Sequence, residues 1–258
     1  MAFDTTVSAG VLQFARPGTR WLSTGWDGGF TRADAAYNVS VPTGFDRTDL
    51  GQYVTERRAE AGFGPDVSGP VDAAEPVTSE PTEQPRPALL TGVEMTHARI
   101  ARAGSVTVAA TAGVSNPAAL PMEPSESPPT ASGRNAPDTP GHGTVNLLVG
   151  TERRLDDAGL ATLLGVTVEA KTATLLARTG FPGTTTDAVV VGSARDGEPA
   201  TFAGSATAVG DATRACVRDA LAASLDSRYG ETADAIPESV GTADHGVVTD
   251  RETEVDRP

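Results

Sequence analysis

Lysine is nearly missing from this chain. Of 258 residues one is lysine, Lys171, while Lys and Arg together number 20, so arginine does almost all the basic work. Cysteine is equally scarce. Cys216 stands alone, so no internal disulfide can form, and a zinc site built from several cysteines is excluded. Aromatic residues make up 5%. No apolar run reaches about 18 residues, so no segment is expected to span a membrane. Met1 to Gly10 lacks the charged and apolar blocks of a secretory signal. Basic charge is short overall: 34 acidic side chains leave a net charge of −14. That balance excludes nucleic acid, which needs a basic footprint, and docking on anionic lipid. A cytoplasmic protein is expected. An acidic surface stripped of lysine suits high salt, where screening removes charge self-repulsion. A GC-rich genome would also exchange lysine for arginine, and the two causes are compatible.

What is present reads as one α/β (or α+β) domain over residues 1–228, a mixed sheet packed with helices. An acidic tail at 229–258 is expected to be disordered. Gly64 to Pro87 holds six prolines among Ser, Thr, Glu and Asp, and almost nothing to bury. It reads as a disordered insertion, as does Pro121 to Pro140. Strands are expected at Val7–Arg16, Arg20–Thr24 (split by Pro17-Gly18), Ala35–Val41, Ala88–Gly92, Ser105–Thr111, Thr144–Val149 and Thr185–Gly192. Helices are expected at Asp49–Ala61, Met95–Arg102, Asp156–Thr179 (broken at Gly165) and Ser205–Arg228.

Four short stretches hold residue types suited to chemistry. In Thr111-Ala112-Gly113-Val114-Ser115-Asn116-Pro117 a strand runs into turn formers, which present backbone N–H groups and small hydroxyls. The same letters also fit an ordinary polar turn. In Gly141-His142-Gly143-Thr144-Val145-Asn146 a histidine between glycines precedes a strand. Histidine is the side chain suited to proton transfer near neutrality; a solvent-exposed loop histidine fits equally. Glu169-Ala170-Lys171 lies on the long helix, and residues two apart face different sides. Each charge has apolar neighbours at helical spacing, so each should need a partner. A lone lysine in an arginine-only chain points to a task for an ammonium, which can activate a nucleophile or hold a carbonyl oxygen; chance survival is the alternative. Gly183-Thr184-Thr185-Thr186-Asp187-Ala188 opens a buried strand, where Asp187 can orient a histidine or cap the strand. There is no G-x-S-x-G elbow, H-E-x-x-H or Walker loop. His97 and His142 with Asp187 or Glu94 match no metal-ligand spacing, so no metal ligand is assigned and the metal requirement stays open.

Taken in order, these segments resemble the adenosylcobinamide amidohydrolase (CbiZ) family, in its haloarchaeal form. The resemblance runs from about Gly10 to Ala223, interrupted by the two insertions. It is carried by Leu22-Ser23-Thr24 with Gly28-Gly29, Asn38 with Val41-Pro42, Gly92-Val93-Glu94-Met95-Thr96, and the four stretches above. It implies hydrolysis of the amide joining the aminopropanol arm to the corrin ring, giving adenosylcobyric acid and (R)-1-aminopropan-2-ol, in corrinoid salvage toward coenzyme B12. It implies a small-molecule corrinoid as substrate and no separate cofactor. The family does not dictate a mechanism. On chemistry, His142 is the candidate general base or acid and Asp187 its orienting partner. Lys171 is the candidate oxyanion group, with Glu169 holding it or activating water, and backbone N–H groups around Gly113 to Asn116 as further donors. Thr111, Gly113, Ser115, Asn116, Thr144, Asn146, Thr185 and Thr186 are the candidate substrate-binding residues. The rival expectations are a non-catalytic corrinoid-binding protein and an amidohydrolase of another substrate. The oligomeric state is left open.

Overall fold

The computed structural model describes residues 2–64, 86–122, 144–230 and 236–257. Both proline-rich stretches, apart from their ends, and His142 fall outside the described residues.

The chain opens with a tight hairpin. Strands β1 (Asp4–Ser8) and β2 (Val11–Ser23) pair antiparallel, Ser8 opposite Val11. Ala9 and Gly10 fill the turn at φ 44° and 75°, the two positive values a type I′ turn needs. The expected break at Pro17-Gly18 proves to be a bulge within β2. Pairing with β3 (Gly29–Ser40) jumps from Ala15 to Thr19. Pro17 has no N–H for the ladder, but the Gly18 N–H donates to Asp34 Oδ1 at 2.7 Å, so the strand resumes. A bulged strand bends, and this bend curls the sheet.

Helix α1 (Leu50–Glu60) follows, then β4 (Ala88–Thr91), parallel to β3. The helix expected at Met95–Arg102 is replaced by a 3₁₀ turn, Met95–His97, and strand β5 (Arg99–Ala103). Gly104, at φ 52°, turns β5 back onto the β-branched β6 (Val106–Ala112), and pairing overrides local helix preference. After β7 (Pro117–Ala119) come β8 (Val145–Thr151), α2 (Asp157–Thr179), β9 (Gly183–Thr184), β10 (Ala188–Ser193), α3 (Ala208–Tyr229) and β11 (Val247–Val248). Helix α2 runs unbroken through Gly165, which is exposed and has nothing within 4 Å of a built Cβ.

The main sheet has eight strands in the order β4-β3-β2-β10-β8-β6-β5, with β1 also on β2. Because β3 occupies one edge of β2 throughout, β1 and β10 share the other edge. Alternate side chains divide between two cores. Val106, Val108, Leu147, Val149, Val189 and Val191 face α2 and α3, meeting Leu160, Leu163, Cys216 and Val217. Ala109, Leu148 and Val190 face the other way, onto Phe3, Leu12, Phe14, Trp21 and Leu89. That second core is closed by the sheet itself, since β3 and β4 touch β8 across the curl. Helix α1 covers the outside of β3 through Tyr53 and Val54. Among the described residues α2 is long and apolar enough to cross a membrane, but its Leu160, Leu163 and Leu175 are fully buried within the fold.

The inner core is packed to contact. A Cβ on Gly192 would lie 2.4 Å from Trp21 Cζ3 and 2.9 Å from Thr19 Cγ2. Trp21 cannot easily yield, because it is fully buried and its indole N–H donates to the Ala33 carbonyl at 2.9 Å. Gly192→Ala is therefore expected to lower unfolding free energy by about 1–3 kcal/mol. Denaturant titration would show a lower midpoint at an unchanged slope; an unchanged midpoint would mean that the Trp21 ring moves freely.

Candidate active site

One end of the sheet collects several of the residues singled out above. Strand β6 ends where the antiparallel β8 begins, with Thr111 opposite Asn146 and Ala112 opposite Val145. Strand β10 runs parallel to β8, with Ala188 beside Asn146. The three passages Thr111–Asn116, Thr144–Asn146 and Gly183–Asp187 therefore meet. A short second sheet, β11-β7-β9, closes the side. The Thr185 N–H donates to the Asn116 carbonyl at 3.1 Å, and the Thr144 and Thr186 hydroxyls are 2.7 Å apart.

Lys171 reaches this end from α2. Its ammonium donates to Asp187 Oδ2, and the two side chains are 9% and 11% exposed. Asp187 is held from all sides. Its Oδ1 accepts from Thr184 Oγ1 at 2.5 Å and from the Val145 N–H at 3.2 Å, and its Oδ2 also accepts the Thr184 N–H at 3.2 Å. Gly183 has to be small here, because a Cβ would sit 2.8 Å from Asp187 Oδ2 and 3.4 Å from Lys171 Nζ. A carboxylate offers about four acceptor directions, and four donors within the protein fill them. Among the described residues, then, Asp187 anchors Lys171; His142, which it was expected to orient, lies outside them.

Behind the ion pair runs a chain of buried amides. Asn146 Nδ2 donates to Asn38 Oδ1 at 2.8 Å and to the Leu90 carbonyl at 2.9 Å, and Asn38 Nδ2 donates to Thr111 Oγ1 at 2.9 Å. These bonds cross the curl and stitch β8 and β6 to β3 and β4. The two acceptors fix the orientation of the Asn146 amide, and among the described residues its buried Oδ1 meets no donor. Thr111 and Asn146, expected as substrate-binding residues, are both 0% exposed, and these bonds brace the site from within. Two of the expected backbone donors are engaged within the protein. The Gly113 N–H goes to the Thr144 carbonyl at 3.2 Å and the Val114 N–H to the Tyr229 hydroxyl at 2.8 Å. Asn116 and Thr144 are buried, while Ser115, Thr185 and Thr186 keep partial exposure.

Glu169 is not part of this cluster. It is exposed on the other side of α2 and pairs with Arg214 of α3. His97 is also elsewhere, with Nδ1 3.1 Å from the Ser227 hydroxyl. Cys216 lies in the core beneath the helices, where burial, with a smaller contribution from Asp219, pushes its thiol up and makes it a poor nucleophile. Among the described residues no three His, Cys, Asp or Glu side chains gather as metal ligands. Two contributors were not selected from sequence as site residues. Asn38 is an amide within the apolar run Ala35-Ala36-Tyr37-Asn38-Val39, a pattern that does flag it. Thr184 has no such signal, since the three consecutive threonines look alike.

The family model described as adenosylcobinamide amidohydrolase matches residues 4–233. The chain belongs to this family. A curated relative from Halobacterium salinarum, named adenosylcobinamide amidohydrolase, is 53% identical over 256 residues, covering 99% of this chain and 100% of the relative. The adenosylcobinamide amidohydrolase match takes in Asn38, Thr111–Asn116, Thr144–Asn146, Lys171 and Gly183–Asp187. Strand β11 lies beyond it.

Proposed function

We propose that this chain hydrolyses the amide between the aminopropanol arm and the corrin ring of adenosylcobinamide, releasing adenosylcobyric acid and (R)-1-aminopropan-2-ol. The observation that carries the residue assignment is the Lys171–Asp187 pair, in which the chain's one lysine stands at the sheet end where the three passages meet. Amide hydrolysis needs an activated water, a group for the oxyanion and a proton for the departing amine. In our reading the Lys171 ammonium holds the carbonyl oxygen as it gains charge. His142, two residues before Thr144, takes a proton from the attacking water. It returns that proton to the amine nitrogen as the C–N bond breaks. Asp187, Thr184 and Gly183 fix the ammonium in place. Ser115, Thr185 and Thr186, the partly exposed members, meet the amide-bearing rim of the corrin. The acidic composition and the relative from a halophilic archaeon support a cytoplasmic enzyme of corrinoid salvage working at high salt. No separate cofactor is assigned, and the corrinoid is substrate.

Incubation with adenosylcobinamide in concentrated potassium chloride, with and without a chelator, tests this directly by mass spectrometry of the products. Adenosylcobyric acid is expected in both arms, and His142→Ala should slow its formation by about 10²–10⁴. Intact substrate recovered from folded protein would replace hydrolysis with corrinoid binding. Loss of product in the chelator arm alone would put a metal into the reaction.

A further inference from the structure

The acidity of the last 30 residues suggested a free tail, and the family match stops at residue 233. The structure nevertheless ties the segment 236–249 to the wall of the site. Val247 pairs in parallel with Ala118 and Val248 with Ala119, and the Thr249 N–H donates to the Ala119 carbonyl at 2.9 Å. The fit is close: a Cβ on Gly246 would lie 2.7 Å from Val240 Cγ1 and 3.3 Å from the Pro117 carbonyl oxygen. Ile236 and Val240 pack against a buried cluster that includes Val114, Val145 and Phe181. These holds are apolar and backbone contacts, which salt does not screen as it screens ion pairs.

Strand β7 passes this hold inward. On its other edge it pairs antiparallel with β9, Pro117 opposite Thr184 and Ala118 opposite Gly183. Thr184 gives both its hydroxyl and its N–H to Asp187, and Gly183 leaves room for that carboxylate and the Lys171 ammonium. The connection runs from the tail through β11, β7 and β9 to Asp187, and from Asp187 to Lys171. A ribbon of two strands only two and three residues long is not stable alone. The third strand supplies what β7 and β9 lack.

We propose that the C-terminal segment 236–249 is a strap that positions Asp187, and through it Lys171, for amide hydrolysis. The proposal rests on Lys171 as the oxyanion group. Its residues are positioning residues that act through Thr184, and this can be tested by a double-mutant cycle. Thr249→Pro removes the N–H that binds Ala119, whereas Thr249→Ala keeps it. With adenosylcobinamide, Thr249→Pro should lower kcat about tenfold with KM within about twofold, the pattern of a lost transition-state interaction. Thr249→Ala should match the parent. Thr184→Val should lower kcat by a similar factor, and Thr249→Pro added to it should cost less than about twofold more. If Thr249→Pro is recovered unfolded, Gly246→Ala replaces it in the same cycle. Parental kcat in both strap variants overturns the proposal. So does an effect that multiplies in full with that of Thr184→Val, because the strap would then act by another route. A parent that leaves adenosylcobinamide intact overturns the hydrolytic reading and the strap together, whereas additivity in an active parent overturns the strap alone.

Discussion

Lys171→Met is expected to lower kcat for adenosylcobinamide by about 10²–10³, the usual cost of deleting one preorganised oxyanion donor. Methionine keeps most of the length and apolar contact of the lysine stem and removes the charge. Asp187 is not left bare, because Thr184 Oγ1, the Thr184 N–H and the Val145 N–H still reach it. The stability loss should therefore fall below the roughly 3–5 kcal/mol seen when a buried pair simply loses one partner. Lys171→Arg should not rescue. The space beside Gly183 fits a compact ammonium, with Nζ 3.4 Å from where a Cβ would be, and a planar guanidinium needs more room. Steady-state kinetics beside thermal melts would separate the two effects. If Lys171→Met turns over within a few-fold of the parent, the ion pair is structural and the oxyanion group is elsewhere.

The second large effect is on stability. Asn146→Ala deletes the donor shared by Asn38 Oδ1 and the Leu90 carbonyl. The buried Asn38 Oδ1 would then lose this donor at about 1–3 kcal/mol, and the partly buried bond to the Leu90 carbonyl adds about 0.5–1.5 kcal/mol, so a total loss of roughly 2–4 kcal/mol is expected. Asn146→Asp should be worse than alanine, because it sets an oxygen against two oxygens. Urea unfolding of the two variants gives the ranking. Near-parental stability of Asn146→Ala would mean that relief of its Oδ1, which meets no donor among the described residues, offsets the lost bonds, and that the stitch across the curl contributes little.

The corrections share a physical pattern. Pro17-Gly18 carries the letters of a turn, but Asp34, sixteen residues beyond Gly18, captures the free N–H and keeps β2 continuous. Met95–Arg102 has no helix breaker, yet Arg99–Ala103 gains a full antiparallel ladder on β6. The tail has few apolar residues, but Ile236, Val240 and Val247 suffice once β7 offers an open edge. In each case the deciding partner is distant in sequence. Local propensity is worth tenths of a kcal/mol per residue and yields to pairing and burial.

Glu169 and Lys171 show where sequence reading stops. Two positions apart, they lie about 200° around the helix from each other, and each has apolar neighbours on its own face. Period and composition, taken alone, determined that α2 is a helix and that the chain's one lysine is set in it. They also determined that β6 and β8 are buried strands ending in polar turns, and that no internal disulfide can exist. Only the packing of α2 decided which charge turned inward. Arg214 of α3 met Glu169 at the surface, while Asp187, held by Thr184, met Lys171 at the sheet end. The buried chain from Asn146 through Asn38 to Thr111 and the hold of β11 on β7 were likewise decided in three dimensions. Such contacts join groups up to 129 residues apart, and no local pattern records which of them the curl of the sheet will bring together.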